Sequence, residues 1–178
     1  MTDLRRLVDR LDLDQKIAQI QGVVPMDLVD WEVFTDPSAP PPDLTKGFPF
    51  DLERLPLVRP HGVGHLSLGW QLDLDLDGLR TALTRFQDIA REVTPFGIGT
   101  LVHAEGVNGL VHAQGHQFTT PWGQAATWDP EASRTVGAIA ARQARAVGIH
   151  LFFSPLFDLA RDLRWGRVPE PYGAEPEL

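Results

Sequence analysis

The sequence contains no cysteine, which excludes disulfides, thiolate metal ligation and a cysteine nucleophile together. Packing must hold the fold. Basic residues are also scarce: 16 Lys plus Arg stand against 24 Asp plus Glu, a formal charge of -8. That balance disfavours a phosphate backbone or an anionic lipid surface, so neither nucleic acid nor membrane is an expected partner. No run approaches the ~20 consecutive apolar residues that a bilayer span needs. Met1-Thr2-Asp3-Leu4-Arg5-Arg6 leads straight into charged, helix-like sequence with no apolar signal core, so the expected compartment is the cytoplasm. What remains is 178 residues with 43% apolar content, enough for one globular unit over 1–178 with an ordinary core.

Asp12 followed three positions later by Gln15 predicts a capping box and a short helix over residues 12–20, its Ile17, Ala18 and Ile20 turned inward. From Trp31 to Pro60 seven prolines (Pro37, Pro40, Pro41, Pro42, Pro49, Pro56 and Pro60) remove backbone donors, and 31–60 reads as an irregular surface excursion. Gly62 to Leu68 reads as a strand. Asp75 to Thr94 follows as an amphipathic helix, with Leu76, Leu79, Leu83, Phe86, Ala90 and Val93 at three-and-four spacing. Ile98 to His103 is a second apolar strand, ending against Ala104-Glu105-Gly106. Asp129 caps a further helix with Pro130 at its first position and Val136, Ile139, Ala140 and Val147 as its buried stripe. Gly148 stops it before a third strand, Ile149 to Phe153, and a polar loop follows Pro155.

Alternating strands and helices predict an α/β fold with a parallel sheet, and near-continuously apolar strands predict a sheet buried on both faces. Three strands fall short of a complete (β/α)8 barrel of about 250 residues, and equally of a doubly wound sheet. The chain reads as an incomplete α/β architecture. Gly62-Val63-Gly64 is no dinucleotide fingerprint, because the third glycine and the opening helix are both absent.

Two places could carry chemistry. Ser154 to Arg167 sets five charges and the Trp165 indole after an apolar strand, with Glu170, Tyr172 and Gly173 beyond. In a barrel, loops after strands build the active face, and an arginine there can bind hydroxyls or carboxylates through its fork. Arg161, Asp162, Arg164 and Glu170 could equally form a solvated ion-pair network that shapes the loop. Glu105, just past the second strand and followed by Gly106 and Gly109, could accept two sugar hydroxyls or simply pair with a nearby base. His112 and His116 stand four apart, but Gly109 and Gly115 argue against a helix and no third ligand lies close, so no metal is expected. Trp122, Trp128 and Trp165 could stack on a sugar ring or belong to the core.

Several of these segments, in order, resemble glycoside hydrolase family 3, the family of β-glucosidases and β-xylosidases. The resemblance runs from Leu11-Asp12-Leu13-Asp14-Gln15-Lys16-Ile17-Ala18-Gln19 through Gly62-Val63-Gly64-His65-Leu66, Glu105-Gly106-Val107-Asn108-Gly109 and Trp128-Asp129-Pro130. Its most specific part is Arg161-Asp162-Leu163-Arg164-Trp165-Gly166-Arg167, with the tail Glu170-Pro171-Tyr172-Gly173-Ala174-Glu175-Pro176. Asn108 stands where the family usually has His, Leu163 where it has Pro, and Ala174-Glu175 where it has Glu-Asp. The resemblance implies the first part of a (β/α)8 barrel, about three β/α units, and a retaining, exo-acting β-glycosidase that needs no cofactor or metal. It makes Glu105 and Arg167 the substrate-binding residues, with Arg164 assigned to the loop's scaffold. The chemistry needs two carboxyl groups about 5 to 5.5 Å apart. In the family the nucleophilic Asp and a sugar-gripping Lys-His pair lie on later strands and the acid/base in a following domain, so no catalytic residue is expected within 1–178. The expected partners are a small β-glycoside, the remainder of the barrel and that following domain. A non-catalytic sugar-binding fragment, or one half of a split enzyme, is the alternative.

Overall fold

The computed structural model describes residues 4–38, 40, 50–68 and 74–177. The chain divides into two units, Met1–His103 and Ala104–Leu178.

The first unit opens with α1 (Leu4–Arg10) and α2 (Leu13–Ala18). The expected capping box forms: Asp12 Oδ1 accepts from Gln15 N–H at 2.8 Å, and Gln15 Oε1 accepts from Asp12 N–H at 3.1 Å. Together they satisfy two donors that a helix start would otherwise leave orphaned. Of the three apolar residues expected to face inward, Ala18 is buried while Ile17 and Ile20 are exposed. Sequence patterning counts three strands, and the structure adds a fourth, β1 (Gly22–Val23). It escapes periodicity because a strand of two residues carries no alternation.

The 31–60 segment is irregular only in part. Trp31–Phe34 and Leu52–Arg54 form single 3-10 turns, and α3 (Leu55–Val58) follows. Pro56 sits in the first turn of α3, where a missing N–H costs nothing, and Leu55 is completely buried. Pro41, Pro42 and Pro49 lie outside the described residues.

The strands β2 (His65–Leu68) and β3 (Leu101–Ala104) are shorter than the apolar runs suggested. β1 and β2 pair in parallel, Gly22 opposite His65 and Val23 opposite Leu66. Leu101 N–H donates to Gly64 O at 3.0 Å. Between β2 and β3 runs α4 (Leu76–Val93), capped by Asp75, which accepts from Gly78 N–H at 2.7 Å. Leu79, Leu83, Phe86, Ile89 and Ala90 are its buried face, Ile89 adding to the expected stripe while Leu76 and Val93 sit at its margins. With Leu28, Leu55, Val23, Val63 and Val102 they make the core, where Phe86 alone contributes roughly 1.5 to 3 kcal/mol by burial. The His65 and His103 rings meet at 2.8 Å, Nδ1 to Nε2, and His103 is buried. Any Cβ at Gly22 would stand 2.1 Å from the His65 ring, so this layer requires glycine.

In the second unit, α5 (Pro121–Ala125) precedes α6 (Pro130–Val147), which leads to β4 (Leu151–Phe152) beside the end of β3, where Phe153 N–H donates to Ala104 O at 3.0 Å. Asp129 caps α6 by accepting from Glu131 N–H, and Gly148 ends it at φ 92°, a left-handed turn that favours glycine. Ala140, Ala144 and Val147 are buried, whereas Val136 and Ile139 are only half-buried. Burial of the strands on both faces is not met either: Leu101, Leu151 and Phe153 are between 42% and 49% exposed.

Candidate functional site

Glu105 follows directly on β3 and is exposed, as a carboxylate at a strand end must be to reach a ligand. The glycines behind it are needed for different reasons. A Cβ at Gly106 would lie 2.4 Å from the Phe152 ring, so close packing on β4 demands glycine there. Gly109 has φ 122°, and a Cβ would lie 2.2 Å from the His116 carbonyl. Asn108, where the family pattern has His, ties the loop to itself: its Nδ2 donates to Phe118 O at 3.2 Å and its carbonyl accepts from Phe118 N–H at 2.8 Å.

The two histidines in this loop serve it separately. His112 Nδ1 accepts from Gln114 N–H, while His116 bonds Gln143 of α6 through both its ring and its backbone N–H. Neither lies on a helix, and among the described residues no cluster of three potential ligands forms. The tryptophans do not form one platform. Trp128 is 79% exposed in a left-handed conformation at φ 55°, Trp122 lies in the first turn of α5, and Trp165 is half-buried in the long loop.

That loop doubles back on itself. Leu156 bridges Pro171, Ala160 N–H donates to Gly173 O at 3.0 Å, and Arg161 Nε donates to Ala174 O at 3.3 Å. The four charges expected as one ion-pair network do not form one: Arg164 pairs with Asp162, Glu170 pairs with Arg167 from outside that set, and Arg161 bonds the Ala174 carbonyl. Arg164 forks Asp162, its nearest contact 2.5 Å, and holds that carboxyl below its ordinary pKa. The Arg164 side chain is 91% exposed, so this pair contributes little to the scaffold. Arg167 instead grips Glu170 at two points, Nε to Oε1 at 2.7 Å and Nη2 to Oε2 at 2.5 Å, and so depresses the Glu170 pKa. Glu170 in turn raises the Arg167 pKa, and Glu105 and Asp158 add to that field. Glu170 is thus the acid in contact with the guanidinium, while Glu105 and Asp158 act on its charge from further off. Sequence reasoning missed Asp158; its only signal was an acid placed soon after the end of a strand.

A family model described as the glycosyl hydrolase family 3 N terminal domain matches residues 13–178. A putative beta-xylosidase of Formosa agariphila is 35% identical over 83 residues, 47% of this chain and 11% of that protein. A periplasmic beta-glucosidase of Salmonella typhimurium is 36% identical over 69 residues, 39% of this chain and 9% of its own length. Among solved structures, a β-glucosidase from Erythrobacter marinus aligns with 97% of this chain at a TM-score of 0.75 and 26% identity, covering 20% of that chain. A beta-glucosidase from Listeria innocua aligns with 99% at a TM-score of 0.67 and 26% identity, covering 22% of that chain. The chain spans about a tenth of the length of these curated relatives and about a fifth of the solved ones. The α/β fold with its parallel sheet is thus that of a partial (β/α)8 barrel.

Proposed function

The chain belongs to glycosyl hydrolase family 3, and from that premise we propose that it forms the sugar-gripping first part of a retaining, exo-acting β-glycosidase. Its substrate class is small β-glucosides and β-xylosides, the sugars in the names of the relatives it matches. Glu105 accepts hydroxyls of the sugar being cleaved off, and Arg167 donates to them. Nucleophile and proton donor come from further barrel strands and a following domain, as the family pattern implies. Phe157, Leu163 and Trp128, between 79% and 88% exposed, are consistent with further protein covering this chain.

The observation that carries the reading is the state of Arg167. It sits in the loop that carries the most specific part of the family resemblance, is held by Glu170 on one edge, and has Glu105 close enough to act on its charge. An arginine kept charged beside carboxylates can donate through a planar fork to hydroxyls that those carboxylates also accept.

Steady-state kinetics of the whole protein on nitrophenyl β-glucoside and β-xyloside test it. Arg167→Lys keeps the charge and loses the fork, and kcat/KM should fall on the order of a hundredfold, as when one transition-state donor is removed. Arg164→Lys, at a solvated pair, should leave kinetics and melting almost unchanged. Near-normal turnover in Arg167→Lys with a loss in Arg164→Lys would reverse the assignment of roles in this loop.

A further inference from the structure

Arg167 lies in an exposed turn, yet its guanidinium is fixed. The two-point contact with Glu170 uses Nε and Nη2, a geometry that defines the plane of the guanidinium as well as its place. Nη1, on the opposite edge, has no hydrogen-bond partner among the described residues.

Glu170 is itself anchored. Its side chain is 29% exposed against 52% for Arg167. It stands between Pro169 and Pro171: each ring fixes its own φ, and a following proline keeps the preceding residue extended. Pro171 is fully buried and its backbone bridges Leu156, while Glu170 N–H donates to Arg167 O at 3.0 Å. A solvated local pair needs none of this, and Arg164 with Asp162, two positions apart, shows what such a pair looks like a few residues earlier. The Glu170 carboxylate is mounted on a strap that cannot easily turn, and the guanidinium is mounted on the carboxylate.

We propose that Glu170 is a positioning residue, holding the Nε and Nη2 edge of Arg167 so that the Nη1 edge is presented to a hydroxyl of the bound sugar. This deepens the reading of Arg167 given above and rests on it. Glu170 does not touch the sugar; it acts through the arginine.

The test is a double-substitution cycle in the whole protein, with kcat/KM on nitrophenyl β-glucoside and the melting temperature measured for wild type, Glu170→Gln, Arg167→Lys and the double variant. Glu170→Gln keeps the shape and presents an amide where the fork expects a second anionic oxygen. It should lower kcat/KM about tenfold to a hundredfold, the range for partners that orient a functional group. Melting should shift little, because the Arg167 end of the pair is half-exposed and Gln keeps the shape of Glu170. The double variant should lose no more than Arg167→Lys alone, since both changes remove one arrangement. Glu170→Asp, which keeps the carboxylate, should recover part of the loss. Losses that multiply in the double variant, or an unimpaired Glu170→Gln beside an impaired Arg167→Lys, overturn the inference. So does a loss that tracks a lowered melting temperature and is not relieved by Asp. If Arg167→Lys is itself silent, the reading of Arg167 fails and this inference falls with it.

Discussion

Alanine at Gly64 tests the packing that sets up the sheet. The Gly64 backbone is occupied on both sides, its N–H donating to Gln21 O and its carbonyl accepting from Leu101 N–H, each at 3.0 Å. A Cβ would stand 1.8 Å from Gln19 O and 2.3 Å from Gln19 C. Non-bonded carbons need about 3.5 Å, so one backbone would have to retreat by more than about 1 Å. The obstacle is a main-chain carbonyl at the end of α2, where Gln19 N–H is bonded to Gln15 O and Lys16 O, and it cannot rotate aside like a side chain. Overpacking that side chains can absorb costs about 1 to 3 kcal/mol, and here the cost should reach or pass the top of that range. At about 3 kcal/mol the melting temperature should drop roughly 6 to 12 °C for a protein of this size. Gly137→Ala is the control: a Cβ there meets nothing within 4 Å, inside α6. Removing a helix-interior glycine should stabilise by about 0.5 to 1 kcal/mol. Thermal and urea melts of both variants read the contrast. A Gly64→Ala protein as stable as wild type would refute the packing argument.

The buried His103 beside His65 gives a pH signature. Burial first, and the neighbouring His65 second, lower the His103 pKa below 6.5. The unfolded chain therefore takes up a proton below about pH 6.5 that the folded chain refuses, and stability should fall as pH drops through that region. Urea midpoints from pH 8 to 5 should show the decline, and His103→Gln should flatten it; an equal slope in the variant places the titration elsewhere. The 178-residue chain alone should not hydrolyse a nitrophenyl β-glucoside, because the roles proposed for Glu105 and Arg167 are to bind and not to attack. Turnover that co-purifies with the chain would count against that.

The helices were legible in the sequence because their signals are local. Asp12 with Gln15, Asp75, and Asp129 with Pro130 and Gly148 each announce an end within one turn, and α2, α4 and α6 begin where those residues stand. The strands were not legible to the same degree. An apolar run such as Gly62 to Leu68 states that a segment is buried, whereas pairing decides which residues are strand, and pairing partners lie far away in sequence. β1 shows this most clearly: its register against His65 and Leu66 defines it, and nothing in Gly22-Val23 does. The Pro-rich segment misled in the opposite direction, because a proline blocks a helix interior but suits a first turn, as Pro56 does in α3.

The same division runs through the site. The Arg161 to Arg167 loop is recognisable because its residue types and spacing are specific, and Glu105 because it ends a strand. Which acid each arginine takes is not local information. Arg164 has Asp162 two positions before it and Arg167 has Glu170 three positions after it, and charge and sequence separation alone do not say which pair is sheltered. What separates them is the docking of Pro171 against Leu156, which carries Glu170 into a sheltered position and leaves Asp162 in solvent. A backbone bridge between two apolar residues thus accompanies the difference between a sheltered acid and a solvated one.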